Sequence, residues 1–159
     1  MTTSTPTAAI YDWLVLAHIL AAMVWLGSLV VLGAFALRIL RSGEHEEAGR
    51  FIAALRVIGP LALAPAPITL LAAGLAMIGD SEAWDFGQGW VQLGLALFAA
   101  AFLIGAAHQS RAAIAAERAA ERGDHEEAAR RLRAWAWGMA LIVVLLVVAT
   151  WDMVFKPGL

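Results

Sequence analysis

An all-α integral membrane protein, a four-helix up-down bundle with both termini outside, is the fold class this sequence predicts, and three observations predict it. The runs Trp13 to Leu37, Val57 to Gly79, Trp90 to Ala107 and Ala134 to Trp151 contain no Asp, Glu, Lys or Arg. Each is about long enough to cross a ~30 Å hydrocarbon core at a rise of ~1.5 Å per residue. Second, the runs lack the two-residue alternation of a barrel strand, and in lipid only helices or closed barrels satisfy their own backbone groups, so helices are selected. Third, the basic residues fall in alternate connections. Short connections join antiparallel neighbours, and a chain of this length has no room for a separate soluble domain. Residues 1–159 therefore read as a single four-span domain, with spans at approximately 13–38, 57–79, 90–110 and 134–155.

The segment before Tyr11 is polar and has no basic start, so the first span is expected to be retained rather than cleaved as a signal. That span, 13–38, is uncharged unless His18 titrates. The connection after it carries Gly43-Glu44-His45-Glu46-Glu47-Ala48-Gly49-Arg50, which resembles Gly123-Asp124-His125-Glu126-Glu127-Ala128-Ala129-Arg130 before the last span, suggesting two related helical hairpins. A histidine among acids invites a metal site, but a glycine, an acidic cap and acids in the first turn are also how a helix begins after a break. In the second span, Pro60 suits a helix start, whereas Pro65 and Pro67 lie deeper and predict a kink or local opening. The third span leads into an Ala-rich stretch, Arg111 to Arg122, with charges at helical spacing. It predicts a helix that continues beyond the membrane until Gly123 ends it.

Orientation follows from the connections. The first holds Arg38, Arg41, Arg50 and Arg56 and the third Arg111, Arg118, Arg122, Arg130, Arg131 and Arg133, while the second holds only Asp80, Glu82 and Asp85. The positive-inside rule makes connections one and three cytoplasmic and places both termini outside, with Lys156, the only lysine, just beyond the last span. A net charge of −2 with the basic residues on one side points to membrane topology and not to nucleic acid. With no cysteine, the chain forms neither a disulfide nor a thiolate metal site. No glycine-rich phosphate loop is present.

Polar residues inside the spans are the candidates for chemistry, because each is costly in lipid unless it faces a partner or a cavity. They are His18, Thr69, Gln92, His108, Thr150 and Asp152. His18 shares a face with Ala21, Ala22 and Trp25, and the two alanines leave space that suits a flat cofactor or a closely packed helix equally well. His18 and His108 do not form one bis-histidine haem site: they lie at depths that differ by about 20 Å. Level with His18 are Met77, Gln92, Thr150, Asp152, Met153 and Lys156. Asp152 and Lys156 have the acid-first i, i+4 spacing of a helical ion pair. Met77 or Met153 is a candidate second ligand to a haem held by His18, or plain packing. The tryptophans Trp13, Trp84, Trp90, Trp135, Trp137 and Trp151 fall near the predicted boundaries as an aromatic belt, and Trp25 alone is deep. Gly27, beside Trp25, permits close helix contact within one chain or between two, so a homo-oligomer is left open.

The run Ala17-His18-Ile19-Leu20-Ala21-Ala22-Met23-Val24-Trp25-Leu26-Gly27 resembles the opening helix of a bacterial four-span family of predicted integral membrane proteins, domain of unknown function 2269. The ending Trp151-Asp152-Met153-Val154-Phe155-Lys156-Pro157-Gly158 resembles the terminus of that family. More distantly, the His-x6-Trp first helix is similar to those of the J-type protoporphyrinogen oxidases and the copper-resistance D membrane domains. Where the third helix of the oxidases begins with Trp closely followed by Lys, this chain has Trp90, Val91 and Gln92. The resemblance implies a protein of the bacterial cytoplasmic membrane, with His18 as a haem b iron ligand, Trp25 beside the cofactor, and a porphyrin or a quinone as redox partner. Three functions remain in view: a b-type haem redox protein, a metal or small-solute transport component, and a non-catalytic membrane scaffold or accessory protein.

Overall fold

The computed structural model describes residues 6–58 and 63–158. Pro60, with the rest of 59–62 in the second predicted span, and the side chain of His45 lie outside the described residues. The described elements are all helical: α1 (Pro6–Ser42), α2 (His45–Ile58), α3 (Pro65–Gly79), α4 (Gly89–Leu103), a π-helical turn (Ile104–Gln109), α5 (Ser110–Glu121) and α6 (His125–Phe155). Three continuous helices are long and apolar enough to cross a membrane, Ala9–Ser42, Gly89–Glu121 and His125–Phe155. α3, at 15 residues, is a shorter apolar helix of about 22 Å.

Burial follows a regular stripe. In α1 the buried positions are Ala21, Trp25, Leu29, Leu32, Ala36 and Ile39; in α6 the stripe runs Ala128, Leu132, Trp135, Met139, Ile142, Leu146, Ala149 and Asp152, with Ala136 and Gly138 buried beside it. Alternating steps of four and three residues keep one seam facing a neighbouring helix, as in coiled coils and bundles. α6 is the central element, packed against α1, α4 and α5, while α3 lies on α1, and α2 on α5 and α1. Contacts set the directions. Gly33 of α1 lies against Met139 Cβ, Trp25 meets Phe98 of α4 edge-on at 5.7 Å, and Gly94 and Gly138 meet Asp152 and Gln109 respectively. These pairs make α1 and α4 parallel to each other and antiparallel to α6. Leu16, Ile19, Met23, Val24, Val31 and Phe35 of α1 and Leu141, Val144, Val147 and Val154 of α6 are exposed. Such a continuous apolar exterior is untenable in water and natural against hydrocarbon.

Of the kink or local opening expected at Pro65 and Pro67, the structure shows an interruption at Ala64 followed by a fresh helix start. Pro65 is in the first turn of α3 and Pro67 two residues on, so their missing N–H groups are among the four that have no helical acceptor anyway. They begin a helix instead of bending one. The second repeat segment is a helix start as expected: Asp124 accepts a hydrogen bond from the Glu127 N–H at 3.0 Å, and Gly123 takes φ +73° to end α5. Among the described residues no cluster of three or more metal-ligating side chains forms. Trp135 departs from the belt role: it is 3% exposed and packs edge-on against Phe51 of α2.

Candidate functional site

The ring of His18 crosses from α1 to α3, where its Nδ1 lies 2.9 Å from the Leu70 carbonyl oxygen. A carbonyl only accepts, so Nδ1 carries the proton, and in the neutral ring Nε2 keeps its lone pair. Nε2 has no hydrogen bond among the described residues. The approach depends on Gly74, because a Cβ there would lie 3.2 Å from His18 Cε1 and 3.3 Å from Nδ1. In a helix the carbonyl of residue i is screened by the side chains one turn on, and glycine at i+4 opens it to a second donor. A histidine anchored through Nδ1 with Nε2 available is the arrangement by which proteins orient an imidazole toward a metal.

Asp152 stands where the buried stripe of α6 would continue after Ala149. It is fully buried, and neither carboxyl oxygen has a partner among the described residues. Its Oδ2 is 3.3 Å from the position of a Cβ on Gly94, and the Met153 Cε is 3.6 Å from the same point. The expected ion pair with Lys156 does not form. Lys156 caps α6 in the left-handed conformation, φ 43° and ψ 61°, which takes its side chain out of helical i, i+4 register. The ammonium instead sits 3.7 Å over the Trp84 ring and 5.4 Å from Trp90, themselves edge-to-face at 5.3 Å. That cluster ties the 80–88 loop to the end of α6.

His18 and Asp152 share the same end of the molecule. From the contact of Gly33 with Met139, His18 is 15 residues along α1 and Asp152 13 residues along α6. These steps correspond to about 22 and 20 Å. His108 lies far from both. From the level of Trp25 and Phe98, His18 is 7 residues toward one end and His108 10 residues toward the other, a depth difference of about 25 Å. His108 is exposed, with Nε2 3.5 Å from the Ala134 carbonyl.

Its neighbour Gln109 is the buried polar residue that sequence reasoning missed. Nε2 of Gln109 donates to the Trp135 carbonyl at 3.0 Å, while Oε1 is buried without a partner. A straight helix continuing the α4 pattern Val91, Gly94, Phe98, Ala101 would next bring Gly105 and His108 inward. The π turn inserts one residue and brings in Gln109, followed by Ala112, Ala116 and Ala119. Gly138 leaves the room for this: a Cβ there would be 2.9 Å from both Gln109 Nε2 and His108 Cδ2, and those side chains would have to shift.

Trp25 does not stack on His18. It turns toward Phe98, which stacks on Phe102 at 6.0 Å, and lines a lateral groove of about 870 Å³ with Leu29, Phe102, Gln109, Met139 and Ile142. Of the remaining candidates, Gln92 is exposed and donates to the Phe86 carbonyl at 3.2 Å, Thr150 is bonded back to Leu146 at 2.8 Å, and Thr69 is exposed. Gly27 has nothing within 4 Å of its Cβ position, so the glycine contacts between helices inside this chain belong to Gly33, Gly74, Gly94, Gly105 and Gly138.

The family model described as predicted integral membrane protein, DUF2269, matches residues 12–157, nearly the whole chain, and the protein belongs to that family. No curated protein and no solved structure matches it.

Proposed function

We propose, taking membership of this integral membrane family as the premise, that the chain is a four-span bundle of the bacterial cytoplasmic membrane. Both termini lie outside, and His18 is the ligand of a b-type haem used in a redox step with a porphyrin or a quinone. The observation that carries this reading is the imidazole of His18, held by the Leu70 carbonyl through Nδ1 and with Nε2 unengaged. Haem would supply one-electron exchange. The chain's own part is to hold the ring: Leu70 selects the tautomer and Gly74 keeps the surface of α3 low enough for the ring to reach it. Trp25 and Phe98 close the apolar interior one to two turns deeper, which excludes water from the bundle below His18. Met77 and Met153 are the candidate second ligands near this end.

Visible spectra of detergent-purified protein, oxidised and dithionite-reduced, test the reading in wild type and His18→Ala. A Soret band lost or displaced in His18→Ala is the expected result. A flat spectrum after haem supplementation, or a band indifferent to the substitution, overturns it.

Asp152 favours a second reading, a metal or small-solute transport component. An ionisable side chain buried in a membrane helix without a partner marks an ion or proton path more often than a structural site. Metal bound in stoichiometric amount without haem, and lost in Asp152→Asn, would select it; a cofactor-free protein that co-purifies with another membrane protein would select a scaffold.

A further inference from the structure

At the arginine-rich end, away from His18 and Asp152, α5 and α6 line an open surface concavity of about 430 Å³. Its walls include Arg111 and Arg118 of α5, Arg122 at the C-cap of α5, and Arg131 and Glu127 of α6. The one acid is already engaged: Glu127 takes Arg131 Nε at 2.6 Å and Arg130 at 2.6 Å. Arg131 keeps its terminal nitrogens, and Arg111, Arg118 and Arg122 have no carboxylate partner among the described residues. Membrane topology requires arginines at this end but not their convergence on one concavity from two helices. The cavity adjoins the apolar groove described above, for Ile114 and Arg118 line both. The arginine-lined cleft and the groove, whose walls include Trp25, Phe102 and Ile142 and, nearest the cleft, Glu117 and Glu121, thus lie on either side of a ridge formed by Ile114 and Arg118.

We propose that this composite site binds one anionic phospholipid, its phosphodiester among Arg111, Arg118, Arg122 and Arg131 and an acyl chain in the groove beside the π turn. Guanidinium forks match phosphate oxygens, and basic pockets between membrane helices hold anionic headgroups. The groove distinguishes a lipid from a free phosphate ion, since only a lipid carries both a phosphodiester for the cleft and an acyl chain to lie in the groove beyond the Ile114–Arg118 ridge.

The test measures retention and thermal stabilisation of the detergent-purified full chain with three probes: phosphatidylglycerol, phosphatidylcholine with the same chains, and glycerol phosphate. Phosphatidylglycerol is expected to bind and stabilise well beyond the other two. Arg118→Gln, at the junction of the two volumes, should lower its apparent affinity about five-fold, and Arg133→Gln, outside the cavity, should leave it nearly unchanged. Equal binding of the two lipids overturns the proposal, as does glycerol phosphate matching phosphatidylglycerol, or an equal loss in Arg133→Gln. The lipid comparison needs only wild-type protein and decides the matter even where Arg118→Gln does not fold.

Discussion

His18 and Gln109 use one device at opposite ends of the bundle. Each donates to a carbonyl of a neighbouring helix, and each reaches it across a glycine one turn further on, Leu70 with Gly74 and Trp135 with Gly138. They differ in what is left over. Nε2 of His18 remains available, in a residue that is only half-buried, whereas Oε1 of Gln109 is buried without a partner. The device therefore serves as an anchor in both places, but only at His18 does it present a free ligating atom. A polar group that merely joins helices is spent on the joint; one that serves chemistry has an atom to spare.

The largest expected effect separates the two glycines. Gly138→Ala puts a methyl 2.9 Å from two side chains, inside van der Waals contact, and Gln109 must give up its bond to Trp135 or α6 must move. A loss of about 3 kcal/mol is expected. Gly74→Ala meets His18 at 3.2 Å and should cost about 1 kcal/mol, with the ring displaced from Leu70. Unfolding in detergent measures both. Equal costs would mean that the two contacts are mechanically alike and that the tighter packing at the π turn has no energetic meaning.

Next comes Asp152. It has no partner to lose, so Asp152→Asn should change stability by less than about 1 kcal/mol, whereas breaking a true buried ion pair costs about 3–5 kcal/mol. A large loss on unfolding would show that the carboxyl holds a cation or a donor in the native protein. Stability left intact with activity lost would place Asp152 with His18 as a functional group rather than a helix fastener.

Much of the helical architecture was legible because lipid imposes few solutions: the long uncharged runs of α1, α4 and α6 and the Gly with Asp before α6 follow from composition along the chain, whereas the second run forms only the 15-residue α3. The site was legible in part. His18 stood out as a histidine beside alanines, but Leu70 and Gly74 are ordinary residues of another helix, and nothing in their own sequence announces a carbonyl open to a donor. Gln109 was missed for a definite reason. Helical periodicity assumes α geometry throughout, and the single residue added by the π turn rotates everything after Ile104, exchanging His108 for Gln109 at the interface. The pairing of Asp152 with Lys156 failed likewise, because the i, i+4 rule holds only within the helix and Lys156 has left it.

Lys156 gives a smaller effect. Its ammonium over Trp84 latches the 80–88 loop to α6 at the His18 end, and Lys156→Met should cost about 0.5–1 kcal/mol while freeing the loop. Indole fluorescence should register the change at Trp84 and Trp90, and no change should appear at Gln109. A signal at both ends would mean that the two ends are coupled through α6.

The smallest effect belongs to the opposite end and depends on pH. Hydrogen bonds from Arg130 and Arg131 hold the Glu127 carboxyl below the usual glutamate range, and Glu127 lies outside the predicted fourth span. Because the folded value is depressed, the stabilisation is complete above the unfolded value, about pH 4.3, and disappears as pH falls through the folded one. The group is partly exposed and its arginine partners are exposed, so salt weakens the effect. Hydrogen-exchange protection factors, corrected for the intrinsic pH dependence of exchange, should therefore fall in the first turns of α6 on acidification below the usual glutamate range, less so in high salt, and Glu127→Gln should remove that dependence. The amides around Met139 and Ile142, whose side chains are buried, should not respond. If they did, the first turn of α6 and its membrane portion would open as one unit, and the distinction between the water-facing cap and the packed stripe would fail.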